Sequence, residues 1–179
     1  MTDADRFEAF VREYQDMVFA TVLRLLGNPA EAEDVAQTVF LKAFQRFDAI
    51  GSSPAAAGWL RAVARNACLN YLSRYRARWR LFSELPEDPA APARVEPAFE
   101  AGGSPAALME ETQERERLEQ ALARLPDHQR VPLVLFHFEN MSYQQIAATL
   151  SVSIGKVKTD IHRGREALRQ QLLPDHGTR

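Results

Sequence analysis

Between Ser142 and Leu172 two amphipathic runs flank a three-residue interruption, Ser151-Val152-Ser153. A connection this short makes the flanking elements pack as neighbours, so the whole stretch folds as one helical pair. Ser142 followed by Gln145 is a capping-box pattern at a helix start. Ile146, Ala147 and Leu150 then share one face. Ser153 caps the second helix. Along it Ile154, Val157, Ile161, Leu168 and Leu172 recur at three- and four-residue steps and form an apolar stripe. The opposite face carries Lys156, Lys158, Thr159, His162 and Arg163. Two short helices, a tight turn and a cationic outer face on the second are the pattern of a DNA-reading helix-turn-helix. Lys and Arg serve phosphate contact and guanine recognition. An ordinary helix pair with a solvated basic face carries the same charges; the compact turn and the small Ala147 favour the DNA-reading alternative.

The rest of the chain follows the same period. No alternating run long enough for a sheet is present, so the expected fold class is all-α. A length of 179 residues allows one or two domains. Cys68 is the only cysteine, which rules out an internal disulfide and fits a reducing cytoplasm. No apolar run approaches the ~20 residues of a membrane span. The acidic start MTDADRFEAF lacks the apolar core of a signal peptide. Net charge is −2, but its distribution is uneven. From Gly51 to Ser83 there is no acid, while Arg61, Arg65, Arg74, Arg76, Arg78 and Arg80 are basic. Acids dominate from Glu84 to Glu119, and basic residues return after Leu150. Two small cationic surfaces separated by an anionic connector neutralise few phosphates each, which predicts weak DNA binding by the protein alone.

In chain order, a first helix is expected over Asp5–Leu26, closed by Gly27, with Asn28-Pro29 opening the next. The second, Ala30–Phe47, turns Val35, Val39, Phe40, Phe44 and Phe47 inward and carries Glu31, Glu33 and Asp34 in its first turn. Asp48–Ser53 reads as a loop. A third helix begins at Ser53-Pro54 and runs through Trp59, Leu60, Ala64 and Leu72 into the arginine-rich tail. Asn66 and Asn70, four residues apart, share a face with Arg61, Arg65 and Arg74. That face reads either as a base-contacting surface or as two tolerated surface residues. Leu85–Ala107, with five prolines and a glycine pair, cannot build a core and reads as a linker. Helices over Leu108–Leu125 and Asp127–Phe138 follow, Pro132 costing the second a hydrogen bond or a kink. The implied organisation is a helical domain over 1–83, a connector over 84–110 and a helix-turn-helix domain over 111–179.

With these residues in hand, the chain resembles the extracytoplasmic-function sigma factors, the small two-domain initiation factors of bacterial RNA polymerase. AEDVAQTVFLKAFQRF is similar to the family's polymerase-binding helix and WLRAVARNACLNYL to its −10 element reader. ALARLPDHQRVPLVL and the MSYQQIA stretch resemble its −35 reading domain. The resemblance implies core RNA polymerase contacts at Asp34, Gln37 and Phe40, although Phe40 also fits core packing. It implies −10 contacts at Arg61, Arg65, Asn66, Asn70 and Arg74, with the asparagines holding unstacked bases. It implies −35 contacts at Tyr143, Lys156, Lys158, Thr159, His162 and Arg163, and a packing role for Trp59. The implied partners are core polymerase, promoter DNA and an anti-sigma factor, such regulators being frequently anchored in the inner membrane. The chain itself is expected in the cytoplasm rather than in the membrane.

One departure stands out. Asp160 occupies a position where the family commonly has arginine, so it repels phosphate, accepts from cytosine or pairs with Lys156 or Arg163. A second class of function, a polymerase-independent helix-turn-helix repressor or activator, differs by binding its operator unaided. An enzyme is not supported. His128, His137, His162 and His176 are scattered, Cys68 is alone on a helix and reads as packing, and there is no metal-ligand spacing or phosphate-cradling loop, so no cofactor is expected.

Overall fold

The computed structural model describes residues 2–73 and 105–173, with side chains in the second segment from Thr112 onward. Most of the 84–110 connector and Arg74 lie outside the described residues. Every regular element among those described is a helix: α1 Asp3–Leu26, α2 Pro29–Gln45, α3 Phe47–Ile50, α4 Ala56–Ser73, α5 Pro105–Arg124, α6 Asp127–His137, α7 Tyr143–Leu150 and α8 Ile154–Leu172. None is long and apolar enough to cross a membrane.

Local chemistry sets the boundaries. Thr2 and Asp5 form a capping box at the start of α1. Gly27 closes α1 in the left-handed region at φ 68°, its N–H donating to Leu23 O at 2.7 Å. The Asn28 side chain accepts from the N–H groups of Ala30 and Glu31 and opens α2, with Pro29 in the first turn. The expected loop after α2 is instead a short helix, α3, formed because Ala49 and Ile50 both donate to Arg46 O.

α1, α2 and α4 pack on one another around Val18, Val22, Leu25, Val39 and Leu60. Each such side chain, fully buried, contributes about 1.5–3 kcal/mol. Cys68 is buried in this unit, and burial pushes its thiol up to about 12, so it is inert packing. Phe44 corrects the expectation of an inward side chain. It is 60% exposed, touching Phe7 edge to face, because the helical period puts it with Leu41 on the face of α2 turned away from the buried Val39 and Ala43.

α8 packs on α5, α6 and α7 in the second unit. Pro132 sits inside α6 and is buried, and the helix continues through it to His137. Ile154 and Leu172, assigned to the inward stripe by their spacing, are both exposed. They are the end residues of α8, which outruns the eight-residue α7 it packs on.

The two units are packed together, an arrangement that periodicity alone does not reveal. α6 is buried on all sides, from Arg130 to Leu135, because it lies between α8 and the C-terminal end of α1. Arg130, 3% exposed, reaches across. Its Nη2 donates to Leu26 O at 2.8 Å and its Nε to Leu25 O at 3.4 Å, meeting carbonyls that end α1. The same guanidinium holds Leu125 O at 2.7 Å and Asp127 Oδ1 at 2.6 Å within its own unit. Gly27 makes this possible: a Cβ there would stand 2.5 Å from the guanidinium carbon.

Candidate nucleic-acid interface

Three surfaces carry the residues singled out above. On α4, Asn66 and Asn70 are exposed, as is Arg61, while Arg65 is half-buried. The interior of α4 is taken by Leu60, Ala64, Cys68 and Leu72, so the helical period turns both amides outward. Trp59 packs at the edge of the core. Ser73 ends the described part of the first unit, so Arg74 has no place in the site as described. Arg65 approaches Glu139 of the second unit at 3.9 Å. Burial raises the Glu139 carboxyl above its ordinary value, and Arg65, Arg61 and Arg24 oppose that rise. Asn66, Asn70 and Ser73 line a cleft of about 430 Å³ whose other wall includes Thr149 and Leu150 at the end of α7.

The helix-turn-helix is built as its sequence suggests. Ser142 and Gln145 cap α7 reciprocally, and Ser153 Oγ accepts from Lys156 N at 3.1 Å. The turn closes through Ser151 in the left-handed region at φ 57°, with Val152 N donating to Ala147 O. Lys158, His162 and Arg163 are exposed on the outer face of α8, and Thr159 is half-buried. Tyr143 stacks on Phe136 with centroids 4.8 Å apart, and Lys158 Nζ lies 6.0 Å from the Tyr143 ring, so the ring is framed by packing as well as by a cation.

Lys156 departs from the outward set. Its Nζ meets Asp160 Oδ2 at 2.7 Å. Asp160 is 3% exposed and faces inward, so of the readings open to it the structure selects the pair with Lys156 one turn away. Burial pushes the Asp160 carboxyl above its ordinary value despite Lys156, and its Oδ1 has no hydrogen-bond partner. A carboxyl whose pKa is raised by folding is a cost carried when ionised, relieved as pH falls through the raised value. Asp160→Asn keeps the size, removes that cost and releases Lys156. The expected result is a melting temperature at pH 7 at or above wild type, with the difference narrowing on acidification toward pH 4. Duplex binding should steepen in salt by about one phosphate. A variant that melts lower at pH 7 and binds with an unchanged salt slope would contradict the inward pair.

The third surface lies between α1 and α2. Phe7, Phe19, Phe40, Leu41 and Phe44 line an apolar groove of about 620 Å³, with Asp16, Glu33 and Gln37 on its rim. Phe40 is half-buried: it packs on the core and also lines the groove. Asp34 is exposed one turn before Gln37. Phe19 and Leu41, the latter 65% exposed, belong to this surface although neither is singled out by motif or resemblance. A signal for Leu41 is present in the sequence: Asp34, Gln37, Leu41 and Phe44 follow a three-four-three spacing that puts them on one face.

Comparison with known proteins agrees with this layout. The family model described as Sigma-70 region 2 matches residues 10–79, and that described as Sigma-70, region 4 matches residues 115–168. An ECF RNA polymerase sigma factor, SigW of Bacillus subtilis, is 31% identical over 95% of this chain and 90% of its own length. The sigma factor SigE of Mycolicibacterium smegmatis is 34% identical over 93% of this chain and 61% of its own. Among solved structures, the sigma factor RpoE bound to the anti-sigma factor NepR, from Bartonella quintana, aligns over 95% of this chain and 98% of its own at 22% identity, with a TM-score of 0.48. Two family models in the same order as the two helical units, with relatives matched along nearly the whole chain, establish that this chain belongs to the extracytoplasmic-function sigma factors of RNA polymerase.

Proposed function

We propose that the chain recruits core RNA polymerase to promoters by dividing the work among its three surfaces. The groove between α1 and α2, edged by Glu33 and Gln37 and lined by Phe40, docks a helical hairpin of the largest polymerase subunit, with Asp34 beside it on the exposed surface of α2. An apolar trough with an acidic rim suits a helix whose own face mixes apolar and basic residues. Asn66 and Asn70 hold bases unstacked from the −10 strand, and Arg61, Arg65 and Arg74 neutralise its phosphates. Lys158, Thr159, His162 and Arg163 read the −35 major groove, Tyr143 and Lys156 supporting them from the first turn of each helix. Residues 1–83 and 111–179 are the two working domains and 84–110 their connector. The protein works in the cytoplasm, performs no catalysis itself, and is held in reserve by an anti-sigma factor, frequently membrane-anchored in this family.

The observation that carries this reading is the exposed amide pair on an acid-free helix face, in the same chain as a cationic reading helix. The test is promoter binding by the purified chain with and without core polymerase. Specific retention of promoter fragments only when core is present supports the reading. Tight specific binding by the chain alone at physiological salt overturns it in favour of a conventional operator-binding regulator.

A further inference from the structure

Side chains from α6, α7 and α8 form one continuous stack. The Arg165 guanidinium on α8 lies 5.7 Å from the Phe136 ring centroid, Phe136 of α6 stacks on Tyr143 of α7 at 4.8 Å, and Lys158 Nζ stands 6.0 Å from the Tyr143 ring. Both ends are cations on α8, about two turns apart, so the stack leaves that helix and returns to it. Its rings are half-buried at the edge of the core, while Lys158 is exposed. Arg165 is fixed in turn. Its Nε and Nη2 lie 3.1 and 3.0 Å from His137 Nε2. A guanidinium only donates, so this fork needs Nε2 as the acceptor, which is the neutral imidazole with its proton on Nδ1. Burial and the Arg165 charge both push the His137 pKa below its ordinary value, in keeping with that form. The charged group facing the ring is Arg165, and among the described residues no carboxylate counters it.

We propose that Arg165 and His137 are positioning residues for the reading helix: acting through Phe136 and Tyr143, they hold the Lys158 ammonium in place on the outer face of α8. The proposal rests on the assignment of Lys158 to the −35 duplex. A lysine is flexible and loses rotamer freedom when it meets a phosphate; one already held over a ring has lost part of it beforehand. Protonating His137 turns Nε2 from acceptor to donor, sets a positive charge against Arg165 and breaks the fork. A histidine whose pKa is lowered by folding has its native contacts complete above the ordinary value of 6.5, and loses them as pH falls through the lowered one. Grip on the −35 duplex therefore slackens on acidification.

The test uses holoenzyme assembled from core polymerase and the full chain, and a duplex selected by the wild-type holoenzyme from a pool randomised at the −35 element. Lys158→Ala should lower affinity and flatten the salt dependence by about one phosphate. Arg165→Met keeps a long side chain without the charge. It should lower affinity about threefold at pH 7.5, the size of an exposed cation–ring contact. Combined with Lys158→Ala it should add little, because both remove the same held charge. His137→Gln keeps an acceptor and does not titrate. It should bind as wild type at pH 7.5 and out-bind it as pH falls toward 5, approaching the same threefold. The other histidines are common to both proteins, so the difference reports His137. Additive losses in the double variant overturn the positioning role, since a residue that merely held the fold would show no coupling to Lys158. A pH response in His137→Gln equal to that of wild type overturns it as well, and this comparison decides alone if Arg165→Met fails to fold. Unchanged affinity and salt slope in Lys158→Ala overturn the assignment of Lys158 to the duplex, and the proposal with it.

Discussion

Alanine at both Asn66 and Asn70 is expected to lower single-round transcription about a hundredfold while leaving core polymerase affinity unchanged. Unstacking a base from the −10 strand costs a few kcal/mol, which hydrogen bonds to its edge must offset. An amide presents donor and acceptor together, and a well-placed pair of this kind is worth about 1–3 kcal/mol of base discrimination. Removing both amides, at about 1.4 kcal/mol per tenfold, gives the expected size. The fold should not notice. Both side chains are exposed and neither belongs to the buried stripe of α4. Alanine is the better helix former, so the melting temperature should hold or rise slightly. A double variant that transcribes within threefold of wild type would remove the asparagines from the site. One that melts several degrees lower would show that they hold the fold.

Much of this is legible in the sequence because it is written locally. The caps at Gly27, Asn28, Ser142 and Ser153, and the inward stripes of α1 and α4, follow from side chains acting on their own turn of backbone. What stays hidden depends on tertiary surroundings. Period alone places Lys156 outward, yet it turns to Asp160 because a buried carboxylate draws the cation one turn away. An aromatic among aromatics suggests an inward Phe44, but it stands one turn from Leu41 on the outward face of α2, opposite the buried Val39 and Ala43. The docking of the two units is hidden most completely, since Arg130 finds its partners more than a hundred residues away in Leu25 and Leu26. One trace of it is in the sequence. Val131 to Leu135 is an uninterrupted apolar run with a proline in it, too broad for a helix with one covered face. Such a helix needs neighbours on two sides, and the second is α1.

Reversing the character of the α1–α2 groove is expected to have the other large effect. Asp34→Arg combined with Leu41→Arg should weaken core polymerase binding at least thirtyfold, about 2 kcal/mol or more. Leu41 is 65% exposed and Phe44 60%, a density of uncovered apolar surface that solvent alone does not favour. Such a patch belongs to an interface, where a few desolvated anchors carry most of the affinity. Asp34 adds an acidic edge, and arginine there would oppose a basic partner over the first steps of approach as well as in contact. The two substitutions act differently. Leu41→Arg removes an apolar anchor and slows nothing before contact, so it should raise the dissociation rate. Asp34→Arg should lower the association rate, most strongly at low salt. Neither touches the buried stripe of Ala32, Val35, Ala36, Val39 and Ala43, so helical content and melting should stay as in wild type. Arg163→Ala is the matched control: it should reduce binding to −35 duplex in the holoenzyme and leave core affinity where it was. Surface-immobilised core polymerase resolves both rates. Wild-type rates in the double variant would mean that polymerase is held elsewhere on the chain, and the exposed leucine and phenylalanines would then need another partner.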